Sequence, residues 1–326
     1  MNKSFKFLSD TPNLFVKSLA EFLGVEISYP NDRSAFVEDK SIFVSWAGWG
    51  RNSSRDIFNK RKKAGLSSFI LERGAFPDTL IADGTGFNYE SELYKFKEWE
   101  KLMEWPELDL WEENIGHFMA SKSSLEFQGE EPLPRTLGLN VFVPLQLKTD
   151  FVIKHYAGWA ESVAGFFHKI KQAAAASPDV NFWVKRHPLG RAQFESKLPN
   201  IIFVDNCHYK DCIKNCDAVV TINSGVGAQS ACYGKPTIVC GDAFYEDVPS
   251  VIKAQSVESI LFAIQTHSPE ERRRRYGAAF YLHLNRLYSH AILTKSDAVK
   301  RLNATSGCQF KSLSLNYGGQ NRMTIN

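Results

Sequence analysis

The amino-acid sequence predicts an α/β protein built from two doubly wound, Rossmann-like units. Short apolar runs alternate with helix-patterned stretches along most of its 326 residues, the mark of strands joined by crossover helices. At ~150 residues per domain, that length accommodates two. Gln128-Gly129-Glu130-Glu131-Pro132-Leu133-Pro134 has the composition of a linker and sets the expected boundary at residue 134.

Taken in order, the first helix is announced by Thr11 as N-cap, Pro12 in its first turn and Gly24 beyond Phe22-Leu23. Residues 41–46 read as a buried strand ending in Ala47-Gly48-Trp49-Gly50-Arg51. A basic helix over 54–64 stops at Gly65, and a strand over 67–71 runs into Glu72-Arg73-Gly74. Such alternation implies a parallel sheet, and ligands of such sheets sit at the carboxyl ends of strands. Residues 92–127 are aromatic and acidic, with one or two helices broken at Pro106 and with Trp99, Trp105 and Trp111 expected in the core.

Beyond the linker the alternation restarts. Strands are expected over 139–145, 180–184, 201–204, 218–222 and 236–240, with helices over 156–176, 208–215 and 225–233. The second domain thus covers 135–267. Helices over 256–267 and 269–290 follow, the segment 268–304 packing back on the domains, and 305–326 is a polar tail.

Composition narrows the function classes. Apolar residues at 44% and charged residues at 23% exclude global disorder. Thirty-nine Lys and Arg against 36 Asp and Glu leave +3, too little to argue for nucleic acid through bulk electrostatics. No apolar run approaches the ~18 residues of a membrane span, and charges interrupt Met1–Leu23, which therefore lacks a secretory core. The six cysteines avoid the first 206 residues, unlike a secreted disulfide framework. A reducing, cytoplasmic setting is expected. Cys207, Cys212 and Cys216 beside His208 offer zinc-type ligands, but without a CxxC they read better as buried thiols, and no metal is expected.

Three strand ends carry the chemistry. Gln146 and Asp150 place an amide and a carboxylate at the sheet's edge; the aspartate is a base, nucleophile or metal ligand, or else caps the next helix. Lys185-Arg186-His187-Pro188, with Arg191 beyond, gathers donors and charge suited to phosphate, and His187 can protonate a leaving phosphate oxygen. A solvated basic loop is the alternative. Asn223-Ser224-Gly225 opens a helix after a strand, where the dipole and close backbone approach favour an anion; a tight structural turn is the alternative. It is neither a Walker A loop nor GxGxxG. Together the second and third segments argue for a phosphate-bearing nucleotide on the second domain. In the first half, Glu72 is an acid/base candidate or a partner of Arg73 or Arg51, and Asp83–Tyr89 is a further polar strand end.

With these segments in view, the sequence resembles the bacterial capsule polysaccharide β-Kdo glycosyltransferases of the KpsC/KpsS type. The resemblance rests on the order of Trp49-Gly50-Arg51, Glu72-Arg73-Gly74, Pro144-Leu145-Gln146 with Asp150, Arg186-His187-Pro188, and Asn223-Ser224-Gly225 leading to Gly234-Lys235-Pro236. It implies a GT-B-like fold, two Rossmann-type domains facing across a cleft, with the acceptor on the first and CMP-Kdo on the second. It implies a retaining double displacement with Asp150 as nucleophile, Glu72 as acid/base and His187 assisting the departure of CMP. Lys185, His187, Asn223, Ser224 and Gly225 would bind the nucleotide, and Gln146, Arg51, Arg73 and Arg186 the substrates.

Two positions depart from the family pattern. Gly227-Ala228-Gln229-Ser230 stands where Gly-Phe-Glu-Ala is usual, and Arg73 replaces an aspartate. Two alternatives follow: a transferase using CMP-sialic acid or a UDP-sugar, and a non-catalytic nucleotide-binding subunit of a polysaccharide assembly system. The expected partners are a nucleotide sugar and a glycan or glycolipid acceptor, with no nucleic acid and no cofactor. Arg272-Arg273-Arg274-Arg275, with Tyr276, Phe280, Tyr281 and Tyr288, is a candidate peripheral contact with the inner membrane, or else a solvated helix face.

Overall fold

The structure is a computed structural model that describes residues 6–10, 12–23, 25–32, 34–38, 40–48, 52–77, 79–122, 124, 128–190, 194–287, 289–290, 313–315 and 323–325. Thr11, Gly24, Trp49, Gly50, Arg51, Arg191, Tyr288, Cys308 and most of the expected tail lie outside them. The chain divides into two compact units, Met1–Leu93 with Asn285–Asn326 (unit 1) and Tyr94–Leu284 (unit 2).

Unit 1 contains β1 (Lys6–Leu8), α1 (Leu14–Leu23), β2 (Glu26–Ser28), α2 (Ala35–Glu38), β3 (Ile42–Trp46), α3 (Asn52–Lys63), β4 (Ser68–Arg73) and β5 (Thr79–Asp83). Its apolar strand residues Phe7, Ile42, Val44, Phe69 and Leu71 pack on Val16, Leu19 and Ala20 of α1. β1 lies between β2 and β3, and β4 follows β3, all parallel, while β5 runs antiparallel to β4. Because β1 leads outward to β2 and β3 leads the other way to β4, the winding reverses between β1 and β3. Arg61, fully buried, fastens α3 through hydrogen bonds to the Phe36, Ser41 and Ser67 carbonyls and the Ser68 hydroxyl.

Unit 2 contains α4 (Trp99–Met103), α5 (Leu108–Ala120), β6 (Leu139–Pro144), α6 (Phe151–Tyr156), α7 (Val163–Ala176), β7 (Val180–Lys185), β8 (Ile201–Phe203), α8 (Tyr209–Asn215), β9 (Ala218–Thr221), α9 (Gly225–Cys232), β10 (Thr237–Val239), β11 (Val251–Lys253), α10 (Val257–Gln265) and α11 (Glu270–Leu287). Its six strands are all parallel, in the order β11-β10-β9-β6-β7-β8. Val141, Val143, Phe182, Val184, Val220 and Ile238 sit in one core with Phe166 and Ile170 of α7, as a sheet covered on both faces requires. Here the winding reverses between β6 and β9. After α11 the chain returns to unit 1, where β12 (Ser289–His290) pairs antiparallel with β5; β13 (Leu313–Leu315) and β14 (Met323–Ile325) pair with each other.

Two expectations are corrected. The division falls after Leu93, not at 134, because the linker-like segment is tied into unit 2. Glu131 N–H donates to the Asn206 carbonyl at 2.9 Å, and a side chain at Gly129 would meet that carbonyl oxygen at 1.9 Å. The single helix expected over 156–176 is two, α6 and α7, because Gly158 (φ +53°) and Glu161 (φ +62°) turn left-handed between them and Ser162 caps α7 afresh. Of the four successive arginines of α11 only Arg273 is buried, while Arg272 and Arg274 are exposed. Arg273 bonds the Gly234 and Ser268 carbonyls, Arg274 pairs with Glu112 and Arg275 with Asp109, while Tyr276 and Phe280 are buried. No helix among the described residues is long and apolar enough to cross a membrane.

Candidate functional site

The site is built where the winding of unit 2 reverses, the place where open α/β sheets bind ligands. Gln146 lies two residues past β6 and Asn223 two past β9, and the two residues interlock. Gln146 Nε2 donates to Asn223 Oδ1 at 3.0 Å, and Asn223 N–H donates to Gln146 Oε1 at 3.3 Å. The Asn223 amide nitrogen also donates to the Val152, Tyr156 and Asp242 carbonyls at 3.3, 2.9 and 3.2 Å. A single buried side chain therefore holds β6, α6 and the end of β10 in register. Both residues, expected as ligand contacts, hold the backbone here, and Gln146 also lines the cavity described below.

Leu147–Asp150 forms a tight turn, closed by Asp150 N–H on the Leu147 carbonyl at 3.1 Å. Asp150 then caps α6, its Oδ1 accepting from Val152 N–H at 3.2 Å. Burial pushes its carboxyl above the usual carboxylate range, and the Val152 and Phe151 amides and the charge of His187 oppose that rise. Asp150 and His187 therefore stand within electrostatic reach. The cap alternative named for Asp150 is thus the arrangement seen.

His187 opens a second turn, with Pro188 and Leu189 central and Gly190 N–H closing on the His187 carbonyl at 2.7 Å. Leu189 N–H donates to His187 Nδ1 at 3.2 Å, which leaves the ring's proton on Nε2 as a donor. The two preceding cations are engaged elsewhere. Lys185 is buried and its Nζ donates to the Asp205 and Cys207 carbonyls, the latter at 2.9 Å, with burial lowering its pKa. Arg186 grips the Asp205 carboxylate and lies over Phe203, its guanidinium carbon 4.7 Å from the ring centre. One aspartate on the β8–α8 connection thus engages both cations, while Arg186 also lines the cavity described below.

Ser224 caps α9, its Oγ accepting from Val226 N–H at 3.2 Å, and Gly225 begins that helix. Tyr245 OH donates to the Ser224 carbonyl at 2.8 Å, and a side chain at Gly227 would lie 2.1 Å from that hydroxyl oxygen. Gln229, at the departing motif position, is buried against Tyr209. A cavity of about 300 Å³ opens beside the two turns, lined by Gln146, Leu147, Lys148, Thr149, His187 and Phe194 among others.

In unit 1, Glu72 is half-buried and Arg73 exposed at the end of β4, in ladder with Ile81 and Leu80 of β5. Asp83 is buried and takes hydrogen bonds from Thr85, Gly86 and Ser91, so the Asp83–Tyr89 segment is a structural loop. Sequence reasoning passed over Asp10, which ends β1 at this unit's reversal point and accepts from Ser54 of α3. A carboxylate two residues past a three-residue strand was the available signal. Cys207, Cys212, Cys216, Cys232 and Cys240 are buried free thiols, and no metal-binding group of three or more His, Cys, Asp or Glu occurs among the described residues.

Two Rossmann-type units, with the polar turns of unit 2 gathered at the carboxyl edge of its sheet, define a fold of the GT-B class. The chain belongs to the capsule polysaccharide biosynthesis protein family, whose pattern matches residues 128–291. Protein FixF of Sinorhizobium fredii (strain NBRC 101917 / NGR234) is 26% identical over 236 residues, covering 71% of this chain and 57% of FixF. The chain thus spans a little over half of that relative. Among solved structures, the Thermosulfurimonas dismutans KpsC β-Kdo 2,7 transferase aligns with a TM-score of 0.60 at 18% identity, over 92% of this chain and 97% of that one. The β-Kdo 2,4 transferase of the same KpsC gives 0.58 at 19%, over 85% and 91%. These two likenesses are of fold.

Proposed function

We propose that this chain is a retaining glycosyltransferase that moves Kdo from CMP-Kdo to a glycan or glycolipid acceptor in bacterial surface polysaccharide synthesis. The observation that carries the reading is that Asp150 and His187 stand within electrostatic reach of each other on adjacent turns past β6 and β7. Family membership and the fold shared with KpsC support it. A carboxylate oxygen of Asp150 attacks the anomeric carbon of the sugar acid as the bond to the phosphate oxygen breaks. The electron pair leaves with CMP, and His187 Nε2–H donates to the departing oxygen. The acceptor hydroxyl oxygen then displaces the Asp150 ester oxygen, its proton passing to a general base. Two inversions return the starting configuration. Ser224 and Gly225, at the positive end of α9, meet the charge on the phosphate.

Intact-mass measurement after incubation with CMP-Kdo tests the reading. The expected result is one Kdo added to the wild type and none to Asp150→Ala. Turnover of another nucleotide sugar with no response to CMP-Kdo would discard it.

A further inference from the structure

We infer that Lys148 is an anion-binding residue of the pocket beside His187, taking an anionic oxygen of the donor where the sequence pointed to Lys185 and Arg186. The inference rests on the donor reading above. Its first support is the charge at the site. Lys185 and Arg186 are both held by Asp205, through its carbonyl and its carboxylate. Asp150 adds a second negative charge when ionised. A donor carrying a phosphodiester and a sugar-acid carboxylate therefore meets no net positive charge from the β7 end. An uncompensated cation has to come from elsewhere.

Lys148 fits that need by position and by freedom. It is a central residue of the Leu147–Asp150 turn, so it and Asp150 leave the same closed loop of backbone. It is exposed and lines the about 300 Å³ cavity together with His187 and Thr149. Among the described residues it has no hydrogen-bond or ion-pair partner. The remaining cavity wall carries Arg186, whose charge Asp205 offsets, and is otherwise mostly apolar, with Leu145, Val163 and Phe194. That lowers the local dielectric and strengthens any charge pair formed there. A compact ammonium on a flexible stem suits a phosphate or a carboxylate equally, so both oxyanions are candidates.

Calorimetric titration of the full chain separates these sources. The probes are CMP, free Kdo, CMP-Kdo and inorganic phosphate, against wild type, Lys148→Met and Lys148→Arg. A charge-assisted hydrogen bond to an ion corresponds to a loss of about 10- to 100-fold in affinity for Lys148→Met, with Lys148→Arg recovering most of it. Loss toward CMP and phosphate identifies the phosphate as the partner, and loss toward Kdo and CMP-Kdo alone identifies the carboxylate. Lys148→Met binding every probe as the wild type does would overturn the assignment. A wild type that binds neither CMP nor CMP-Kdo overturns the donor reading itself, and this residue's role with it.

Discussion

Where its winding reverses, unit 2 joins β6 to β9 through two interlocked side-chain amides, whereas unit 1 reaches from β1 to α3 through a carboxylate and a hydroxyl. The first junction is buried, and its Asn223 also collects three backbone carbonyls. The second, at Asp10, is partly open to solvent. In unit 2 the motif residues Gln146, Asn223, Lys185 and Arg186 all bond the protein's own backbone or Asp205, and the proposed chemistry falls to the turns beside them, through Asp150, His187 and Lys148. Polar residues at a sheet's carboxyl edge therefore divide into those that hold the backbone and those that face a ligand. Only hydrogen-bond partners tell the two apart.

The largest effect that can sharpen this division lies at Asp150, where holding and reacting meet in one side chain. Asp150→Ala and Asp150→Asn are both expected to lower Kdo transfer by at least about a thousandfold. Only the alanine variant loses the α6 cap, about 1 kcal/mol in urea unfolding, since asparagine caps as well as aspartate. Turnover surviving in Asp150→Asn would reduce the residue to a cap. The pH dependence has opposite signs for stability and for rate. The Asp150 pKa is raised by burial, so its contribution to stability is complete below the unfolded value of about 3.9. That contribution is lost as pH rises through the higher folded value. Transfer needs the ionised form and climbs over the same interval, and Asp150→Asn should flatten the stability slope.

Next comes the buried junction. Asn223→Ala strands the Gln146 amide and three carbonyls and is expected to cost about 3 kcal/mol in urea unfolding. Gly227→Ala drives a methyl into Tyr245 and is expected to cost about 2 kcal/mol. Ser54→Ala, at the open junction of unit 1, should cost about 1 kcal/mol. Equal losses for Asn223→Ala and Ser54→Ala would erase the contrast between the two units.

Much of unit 2 was legible in the sequence because β6, β7 and β9 are apolar runs and Ser224 and Ser256 stand where their helices begin. β1, β2 and β11, of three residues each, are too short to show a period. The break between α6 and α7 was missed because Glu161 takes a conformation that favours glycine. At the site, the position of the turns was readable, but the division of labour was not. Lys185 and Arg186 resemble an open cation cluster until Asp205, some twenty residues onward, is brought beside them by the β7–β8 pairing.

The five thiols of unit 2 have a consequence for handling this protein. Burial raises the pKa of each, to about 12 for Cys216 and Cys240. Alkylating reagents attack the thiolate, so at neutral pH these sulfurs stay silent while the unit remains closed. Each modification event then records a moment of local opening. Counting labels over time would rank the segments around α8, α9 and β10 by how often they come apart, with no probe engineered into the chain.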